Sequence, residues 1–431
     1  MIATLKQTTL TILIALLLSA TLWADEINLP DIGSAADATL PKTEEARIGA
    51  AIMRQIRRSG VIVEDPQIAE YINEIGHRVA AHANDGGHKF TFFVVDDPSV
   101  NAFALPGGYI GVHTGLLEAT RNEDELAGVL AHEVAHVTQR HIARAVNANR
   151  RQSLLTTAIM LGALVAAAVG GADADVMQAT TAIAQGSAAQ AQINFTRSNE
   201  YEADRIGIAA LAAAGFDPNG MASFFEVLSN DSTPIEARVP EFLRTHPVGT
   251  ARVAEARNRA RNYPEVQSAN SINYGIARAR LLVAGHKTPE DAVEFFERQQ
   301  YEYQDDVWRY GRALAYLRDG RNREANRIME ELVNKNPEVI AYHVGLAQAQ
   351  LAMEQIDETI KTYERGRELF PRNVPLIVHY AEALLQLDRA QLAHEILLDL
   401  LNNTPPTPDQ VELIARAASE AGETAEAFYY L

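Results

Sequence analysis

The chain has 431 residues, nearly half of them hydrophobic, which is enough to bury the cores of two ordinary domains. Its 56 acidic residues outnumber its 38 lysines and arginines, and the net charge of -18 argues against binding to nucleic acid or anionic lipid by general electrostatics. The sequence has no cysteine, which excludes a disulfide framework and a lipid anchor on a cysteine.

The first 24 residues have the pattern of a secretory signal peptide. A single basic residue, Lys6, precedes an apolar run over Leu10–Leu18, and small and polar residues lead to Ala24. We therefore expect cleavage near Ala24 and an exported mature chain. The alternative is an uncleaved membrane anchor.

Apolar residues at helical spacing predict several helices before residue 265. After a lead-in over residues 25–42, two helices are expected between Glu44 and His82. A long helix follows over Glu123–Asn147, and another over about Ser198–Ala214. The candidate catalytic and metal-binding residues lie on the last two of these helices.

Two stretches of aromatic and β-branched residues, Phe90–Val95 and Tyr109–His113, predict strands of a small sheet. Between them lies a segment that ends in a Pro-Gly-Gly turn signal at residues 106–108. In one interpretation this segment is an edge strand, against which an extended substrate adds main-chain hydrogen bonds. The residues of that expected substrate strand are Asn101, Ala102, Phe103 and Ala104. The other interpretation is a simple hairpin turn.

An apolar run over residues 154–169 is shorter than the roughly 20 residues that a membrane-spanning helix needs. It is compatible with a buried helix, a lid at a membrane surface or a mobile loop. Gly170 and Gly171, with the Ala- and Gln-rich stretch after them, favour a flap over a cleft.

From about Ile272 onward the sequence repeats with a period of 34 residues. The period is carried by prolines and by alanines; they are Pro337, Pro371 and Pro405, and Ala279, Ala313, Ala347, Ala381 and Ala415. Small residues at this spacing, where paired helices touch, resemble the tetratricopeptide repeat. The last unit stops just into its second helix near Ala427, so we expect an incomplete last repeat.

The segment LAHEVAHV at residues 130–137 carries the decisive motif, His-Glu-x-x-His. On a helix, His132 and His136 lie on one face, so two imidazoles reach one zinc ion while Glu133 approaches the water that attacks the substrate. The alternative, two surface histidines on a solvated helix, is disfavoured because the neighbouring residues are apolar. Glu133 is therefore the expected catalytic base.

A catalytic zinc needs a third protein ligand and an open position for water. His141 follows His132 by nine residues, about half a turn round one continuous helix, so we expect it to face away. The acidic segment NEYEAD at residues 199–204 offers Glu200 as the third ligand and Asp204 as the partner of a zinc histidine. Glu202 is the alternative ligand.

The His-Glu-x-x-His motif followed by Glu-x-x-Ala-Asp resembles the HtpX-like family of zinc metallopeptidases. That resemblance implies one Zn²⁺ per chain, with Glu200 as third ligand and Asp204 in a supporting role. The segments at residues 101–108 and 245–247 are also similar to family segments. Together they predict an α+β, mostly helical chain: a zincin-type metalloprotease domain with a small sheet, followed by an α-solenoid of tetratricopeptide-like repeats.

The expected organisation is a signal peptide over residues 1–24, a lead-in over 25–42, a zinc metallopeptidase domain over 43–265 and a repeat domain over 270–431. An exported chain with a repeat tail most resembles the periplasmic branch of this family. The resemblance implies a periplasmic location and work on unfolded or assembling outer-membrane proteins. It also implies docking of the repeats to the β-barrel assembly machinery, with peripheral membrane contact.

His246, in the loop Thr245-His246-Pro247, has two interpretations. Histidine before proline is commonly a turn residue in extended backbone. The functional hypothesis brings His246 to the open position of the zinc as a regulatory or fourth ligand, which either steadies the transition state or displaces the water and silences the enzyme.

Three classes of function remain compatible with the sequence. An endopeptidase for protein processing or quality control accounts for every feature. The second class is a chaperone or scaffold that acts through its repeats and keeps a latent protease. The third, an integral membrane protease, requires retention of residues 1–24 and membrane insertion of the segment around Leu164.

Overall fold

The computed structural model describes residues 40–83, 87–148, 197–230, 241–266, 269–298, 305–404 and 406–430. The expected signal peptide and the apolar run over residues 154–169 lie outside these ranges. Among the described helices, none is both long enough and apolar enough to cross a membrane.

The described part of the chain is mostly helical and has one small sheet. Its strands are β1 (Thr91–Val95), β2 (Ala102–Leu105) and β3 (Tyr109–His113). The described helices before residue 265 are α1 (Lys42–Arg58), α2 (Pro66–Ala80), α3 (Thr114–Ala119), α4 (Glu123–Thr138), α5 (His141–Ala148), α6 (Arg197–Ala213), α7 (Gly220–Asn230), α8 (Glu241–Thr245) and α9 (Thr250–Ala260).

The remaining helices form consecutive pairs. They are α10 (Ile272–Gly285), α11 (Pro289–Arg298), α12 (Asp306–Arg318), α13 (Asn322–Lys335), α14 (Ile340–Ala352), α15 (Ile356–Leu369), α16 (Val374–Gln386), α17 (Ala390–Asn403), α18 (Pro408–Glu420) and α19 (Thr424–Tyr430). The first helices of successive pairs begin 34 residues apart, as the sequence period predicts.

The sheet has the order β1-β3-β2, with β1 parallel and β2 antiparallel to β3. The two predicted strands are therefore neighbours, and the segment between them contains a third strand at the edge. The turn into β3 needs glycine, because Gly107 and Gly108 have φ of 81° and 86°. A Cβ at Gly108 would lie 2.1 Å from the carbonyl oxygen of Lys89.

Both faces of the sheet are covered by helices. On one face, Ile52 and Ile56 of α1 pack against Phe93 and Phe103. On the other face, α2 and α4 enclose the main core, which includes Ile72, Val94, Ile110 and Leu130, all buried. This second face positions the helix that carries the His-Glu-x-x-His motif.

Helix α4 lies in the centre of the first domain. The Asn122 side chain caps its first turn by accepting a hydrogen bond from the Glu125 amide at 3.0 Å. A Cβ at Gly128 would lie 2.7 Å from the backbone nitrogen of Met221, at the start of α7. Glycine at this position therefore allows α7 to approach α4 closely.

The prediction of one helix over Glu123–Asn147 is wrong, because the structure has two. Helix α4 ends at Thr138, and Arg140 adopts a left-handed conformation with φ of 53°. Its guanidinium donates a hydrogen bond to the carbonyl oxygen of Leu40 at 2.6 Å and lies 3.2 Å from Glu45. These long-range contacts hold a turn for which the local sequence has no proline or glycine signal.

The repeat helices pack through the residues that the period selects. The alanines at the 34-residue spacing are all buried; they are Ala279, Ala313, Ala347, Ala381 and Ala415. Large aromatic side chains fill the space between pairs, and Tyr310, Tyr342, Tyr363 and Tyr380 are also buried. The predicted α-solenoid is therefore confirmed in the part of the chain that the structure describes.

The solenoid contacts the beginning of α2 from two of its helix pairs. Arg280 of α10 donates a hydrogen bond to Asp65, the N-cap of α2, at 2.7 Å. His379 of α16 lies 2.9 Å from the Gln67 side chain through Nε2. The repeats thus contact the first domain directly at the start of α2.

Candidate metal centre

Four side chains converge from three separate segments. His132 and His136 lie one turn apart on α4, Glu200 lies in the first turn of α6, and His246 follows α8. All four are buried. Their candidate ligand atoms lie within 4.8 Å of one another, the spacing of a group that could hold one metal ion.

The separations between these atoms suit a tetrahedral ion. His132 Nε2 lies 2.9 Å from His136 Nε2 and 3.5 Å from Glu200 Oε2, and Glu200 Oε1 lies 3.5 Å from His136 Nε2. His246 Nδ1 lies 3.3 Å from His132 Nε2 and 3.2 Å from Glu200 Oε2. An ion with four ligands about 2.0–2.1 Å away needs its ligand atoms about 3.3–3.4 Å apart. The donor set therefore fits a metal, and His246 lies where a fourth ligand could bind the ion.

Glu133 adjoins this group without belonging to it. The side chain is buried, and its Oε1 lies 3.5 Å from His246 Nε2. His246 thus contacts the His132–Glu200 pair through Nδ1 and Glu133 through Nε2. A carboxylate in this place can take a proton from water that attacks a peptide carbonyl beside the metal.

The other ring nitrogen of His132 faces Asp204. Asp204 Oδ1 lies 2.9 Å from His132 Nδ1, and both side chains are buried. Burial disfavours the protonated ring, but the contacts with Asp204 and Glu200 outweigh it and raise the pKa of His132 to about 9. The contact with Asp204 directs Nε2 of His132 toward the metal position and makes the ring a more basic ligand.

Arg252 connects the acidic residues of the site. It donates hydrogen bonds to both oxygens of Asp204 and to the carbonyl oxygen of Pro247, and it lies 2.8 Å from Glu200 Oε2. Burial disfavours the charged Asp204, but Arg252 and His132 outweigh it and lower its pKa. Sequence reasoning missed Arg252, whose only signal is an arginine in the first turn of a helix soon after His246-Pro247.

Comparison with known proteins identifies the fold that carries this site. A family model described as Peptidase family M48 matches residues 66–260, and a tetratricopeptide-repeat model matches residues 350–417. A protein of Vibrio cholerae named putative beta-barrel assembly-enhancing protease is 37% identical over 406 residues, which cover 93% of this chain and 83% of the relative. The chain belongs to peptidase family M48. The predicted resemblance and fold class are confirmed.

Two further relatives differ in the extent of the match. The beta-barrel assembly-enhancing protease of Escherichia coli K12 is 34% identical over 397 residues, which cover 90% of this chain and 80% of the relative. The mitochondrial metalloendopeptidase OMA1 of Arabidopsis thaliana is 28% identical over 223 residues, which cover 51% of this chain and 42% of the relative. M48 peptidases depend on a metal, so the chain is a metalloendopeptidase, as the sequence predicts.

In this M48 peptidase, the expectation that His141 faces away is wrong. Because α4 ends at Thr138, His141 begins α5 and turns back under the metal centre. Its Nδ1 lies 2.8 Å from His136 Nδ1, and its Nε2 lies 3.2 Å from Glu202 Oε2. Glu202, the alternative ligand, is therefore directed at His141, and it does not join the four-residue group.

His246 is held by its own short helix. Its amide donates a hydrogen bond to the Phe242 carbonyl oxygen at 2.7 Å, and the two rings lie 4.8 Å apart between centroids. The amide of Phe242 donates in turn to the carbonyl oxygen of Val100, just before β2. The segment that brings His246 to the site is thus connected to the start of the edge strand.

The expected substrate strand lies beside the metal centre. Ala102, Phe103 and Ala104 belong to β2, and Asn101 precedes it; all four side chains are buried. A small cavity is lined by Ala104 and Leu105 together with His136. The end of the edge strand and the second motif histidine therefore share one cavity.

Proposed function

We propose that this M48 peptidase is a zinc-dependent endopeptidase with one Zn²⁺ per chain. The observation that carries the proposal is the buried group of His132, His136 and Glu200, with Glu133 beside it. Two imidazoles and a carboxylate in tetrahedral arrangement are a donor set that zinc favours in catalytic sites. Zinc held there supplies Lewis-acid chemistry, which polarises a peptide carbonyl and lowers the pKa of water.

The side chains around that position have separate tasks in the proposed reaction. Glu133 accepts the proton of the attacking water and passes it to the leaving amine. Asp204 fixes the tautomer of His132, and Arg252 fixes the orientation of Asp204. The burial of the site excludes bulk water and so strengthens each of these electrostatic interactions.

We further propose that His246 holds the enzyme in a resting state. Its Nδ1 would hold the ion as a fourth ligand, at the position that a catalytic site keeps open for water. Its Nε2 lies against Glu133. In this arrangement His246 displaces the water that Glu133 needs, so turnover requires the segment after α8 to move away.

The proposed substrates are unfolded or misassembled proteins of the outer membrane. The edge strand β2 offers main-chain hydrogen bonds to an extended chain, a mode of recognition that needs an unfolded segment. Relatives of similar length are named for β-barrel assembly, which supports outer-membrane barrel precursors as the class of substrate. The signal-like residues 1–24 support a periplasmic location after cleavage near Ala24.

The repeats are proposed to bring the peptidase to its partners. We assign residues 43–265 to the peptidase domain and residues 270–431 to the repeats, which would dock to the β-barrel assembly machinery with peripheral membrane contact. The position of His246 favours a second function. While His246 occupies the position of the water, the protease is latent, and the chain acts as a chaperone or scaffold through its repeats.

The test uses the mature chain and its Glu133→Gln variant with an outer-membrane barrel protein in urea-unfolded and in folded form. The proposal expects the wild type to cut the unfolded barrel, while the variant leaves it intact. Cleavage of the folded barrel at the same rate would contradict the substrate class. Slowed aggregation of the unfolded barrel by both proteins, without cleavage, would favour the chaperone function.

A further inference from the structure

The two motif histidines have different partners on the side away from the metal position. His132 turns Nδ1 toward the carboxylate of Asp204 at 2.9 Å. His136 turns Nδ1 toward Nδ1 of another histidine, His141, at 2.8 Å. Histidine ligands nearly always need such a partner, because it fixes the tautomer and the direction of the ring.

The backbone brings His141 to this place by an unusual turn. Arg140 has φ of 53°, a left-handed conformation that is unfavourable for a residue other than glycine. Its partly buried guanidinium contacts Leu40 and Glu45, and these contacts offset that cost. His141 itself is fully buried. The turn that ends α4 therefore places a polar ring in the core directly beneath His136.

A metal ion on His136 would fix the positions of the protons in these contacts. When Nε2 of neutral His136 binds a metal, its single proton is on Nδ1, so Nδ1 donates to His141. His141 then accepts at Nδ1 and carries its proton on Nε2. That proton points to Glu202 Oε2 at 3.2 Å, and Arg144 lies 2.7 Å from the same oxygen. Each donor in the chain of contacts from Glu202 to His136 meets an acceptor.

We propose that His141 is the positioning residue of His136, and that it fixes the ring for metal binding through the pair His141–Glu202. This inference rests on the proposed metal role of His136. His141 acts on the metal only through His136, because its own ring nitrogens are directed at His136 and Glu202. The two proposed ligands of α4 thus have different partners: a carboxylate contacts His132, and a histidine–glutamate pair contacts His136.

The test compares His141→Leu with His141→Gln in the mature chain. Leucine fills similar space without an acceptor, whereas the glutamine side-chain oxygen can accept from His136 Nδ1. Zinc dissociation constants are measured by competition with a chelator, and the visible spectrum of the Co²⁺-substituted protein reports the ligand geometry. The proposal expects about 10–100-fold weaker zinc binding and an altered Co²⁺ spectrum for His141→Leu, and substantial recovery of both for His141→Gln.

Two controls separate positioning from folding. His343→Leu removes a buried histidine of the repeats and should leave zinc affinity and the Co²⁺ spectrum unchanged. If His141→Leu does not fold, Glu202→Ala removes the acceptor of His141 at a partly exposed position, and it should weaken zinc binding by about tenfold.

The results distinguish this proposal from the proposed function. A wild type that binds no zinc would overturn the function and the positioning role together. A wild type that binds zinc and cleaves protein, with unchanged affinity and spectrum in a folded His141→Leu or in Glu202→Ala, would overturn the positioning role alone. Equal losses in His141→Leu and His141→Gln would also contradict it, because the accepting atom would then have no effect.

Discussion

Arg252 donates two hydrogen bonds to Asp204, at 2.6 and 2.8 Å, and both side chains are buried. The two parallel bonds fix the plane of the carboxylate, and the arginine charge keeps it ionised. Asp204 also contacts His132. The Arg252 guanidinium therefore orients a residue of the metal centre without itself being one of the ligands. The pair joins α9 to α6 and connects both to α4.

Replacement of Arg252 by methionine should weaken both the fold and the site. The change leaves the buried carboxylate of Asp204 without its main counter-charge, which costs about 3–5 kcal/mol of unfolding free energy. Zinc affinity should fall about 10–100-fold, because His132 loses its fixed partner. Urea unfolding and chelator competition measure the two effects.

A matched variant uses an exposed ion pair of the same domain. Arg257 pairs with Glu226, and the Arg257 side chain is 54% exposed. Arg257→Met should change the unfolding free energy by no more than about 1 kcal/mol and leave zinc affinity as it is. Equal effects of the two substitutions would contradict the role given to Arg252.

His246→Ala should increase the cleavage of an unfolded protein substrate. The variant keeps His132, His136 and Glu200, so it should still bind about one zinc per chain. Its kcat/KM should rise by about tenfold or more, as expected when fewer than about a tenth of wild-type molecules have an open position. His286→Ala, in the repeats, is the control. Unchanged activity together with unchanged zinc affinity would exclude a role for His246 at the metal.

Sequence patterns predicted the elements whose signals are local. The spacing of His132 and His136 follows from one helical turn, and the 34-residue period follows from contacts between adjacent helices. In both cases residues that act together repeat at a fixed separation, so a pattern is visible without coordinates. The structure places Glu200 Oε2 3.5 Å from His132 Nε2, and its role as the third ligand stays a prediction.

The features that sequence reasoning missed depend on contacts between distant segments. The end of α4 is set by the contact of Arg140 with Leu40, 100 residues away. Because of this turn, His141 contacts His136, whereas in one continuous helix it would face away from the metal centre. Arg252 lies 48 residues from Asp204, and no local pattern reveals their pairing. Such contacts arise only when the helices pack.

His343 should make the repeats sensitive to mild acid. Its Nε2 lies 2.8 Å from the carbonyl oxygen of Pro337, and Nδ1 has no hydrogen-bond partner among the described residues. Burial lowers the pKa of His343, so the folded state favours the neutral ring. The contribution of neutral His343 to the free energy of unfolding is therefore fully present above the ordinary histidine pKa of about 6.5. It is lost as the pH falls through the lowered pKa of the folded state.

The Tm of the wild type should fall between pH 7 and pH 5, and His343→Leu should show a flatter dependence. The slopes are compared rather than the absolute Tm values, because leucine also changes the packing. His82→Gln, at an exposed histidine, should keep the wild-type slope. A steeper slope for His343→Leu than for the wild type would contradict this account.

The zinc content of four purified proteins tests the metal centre most directly: the wild type, Glu133→Gln, Glu200→Ala and Glu202→Gln. Glu200 supplies a ligand oxygen in our account, whereas Glu133 and Glu202 lie beside the donor set. Mass spectrometry of the metals after dialysis should give about one zinc per chain for the wild type, Glu133→Gln and Glu202→Gln, and clearly less for Glu200→Ala, which loses the one carboxylate among the four proposed ligands. Full retention of zinc by Glu200→Ala, or no zinc in the wild type, would contradict the proposed centre.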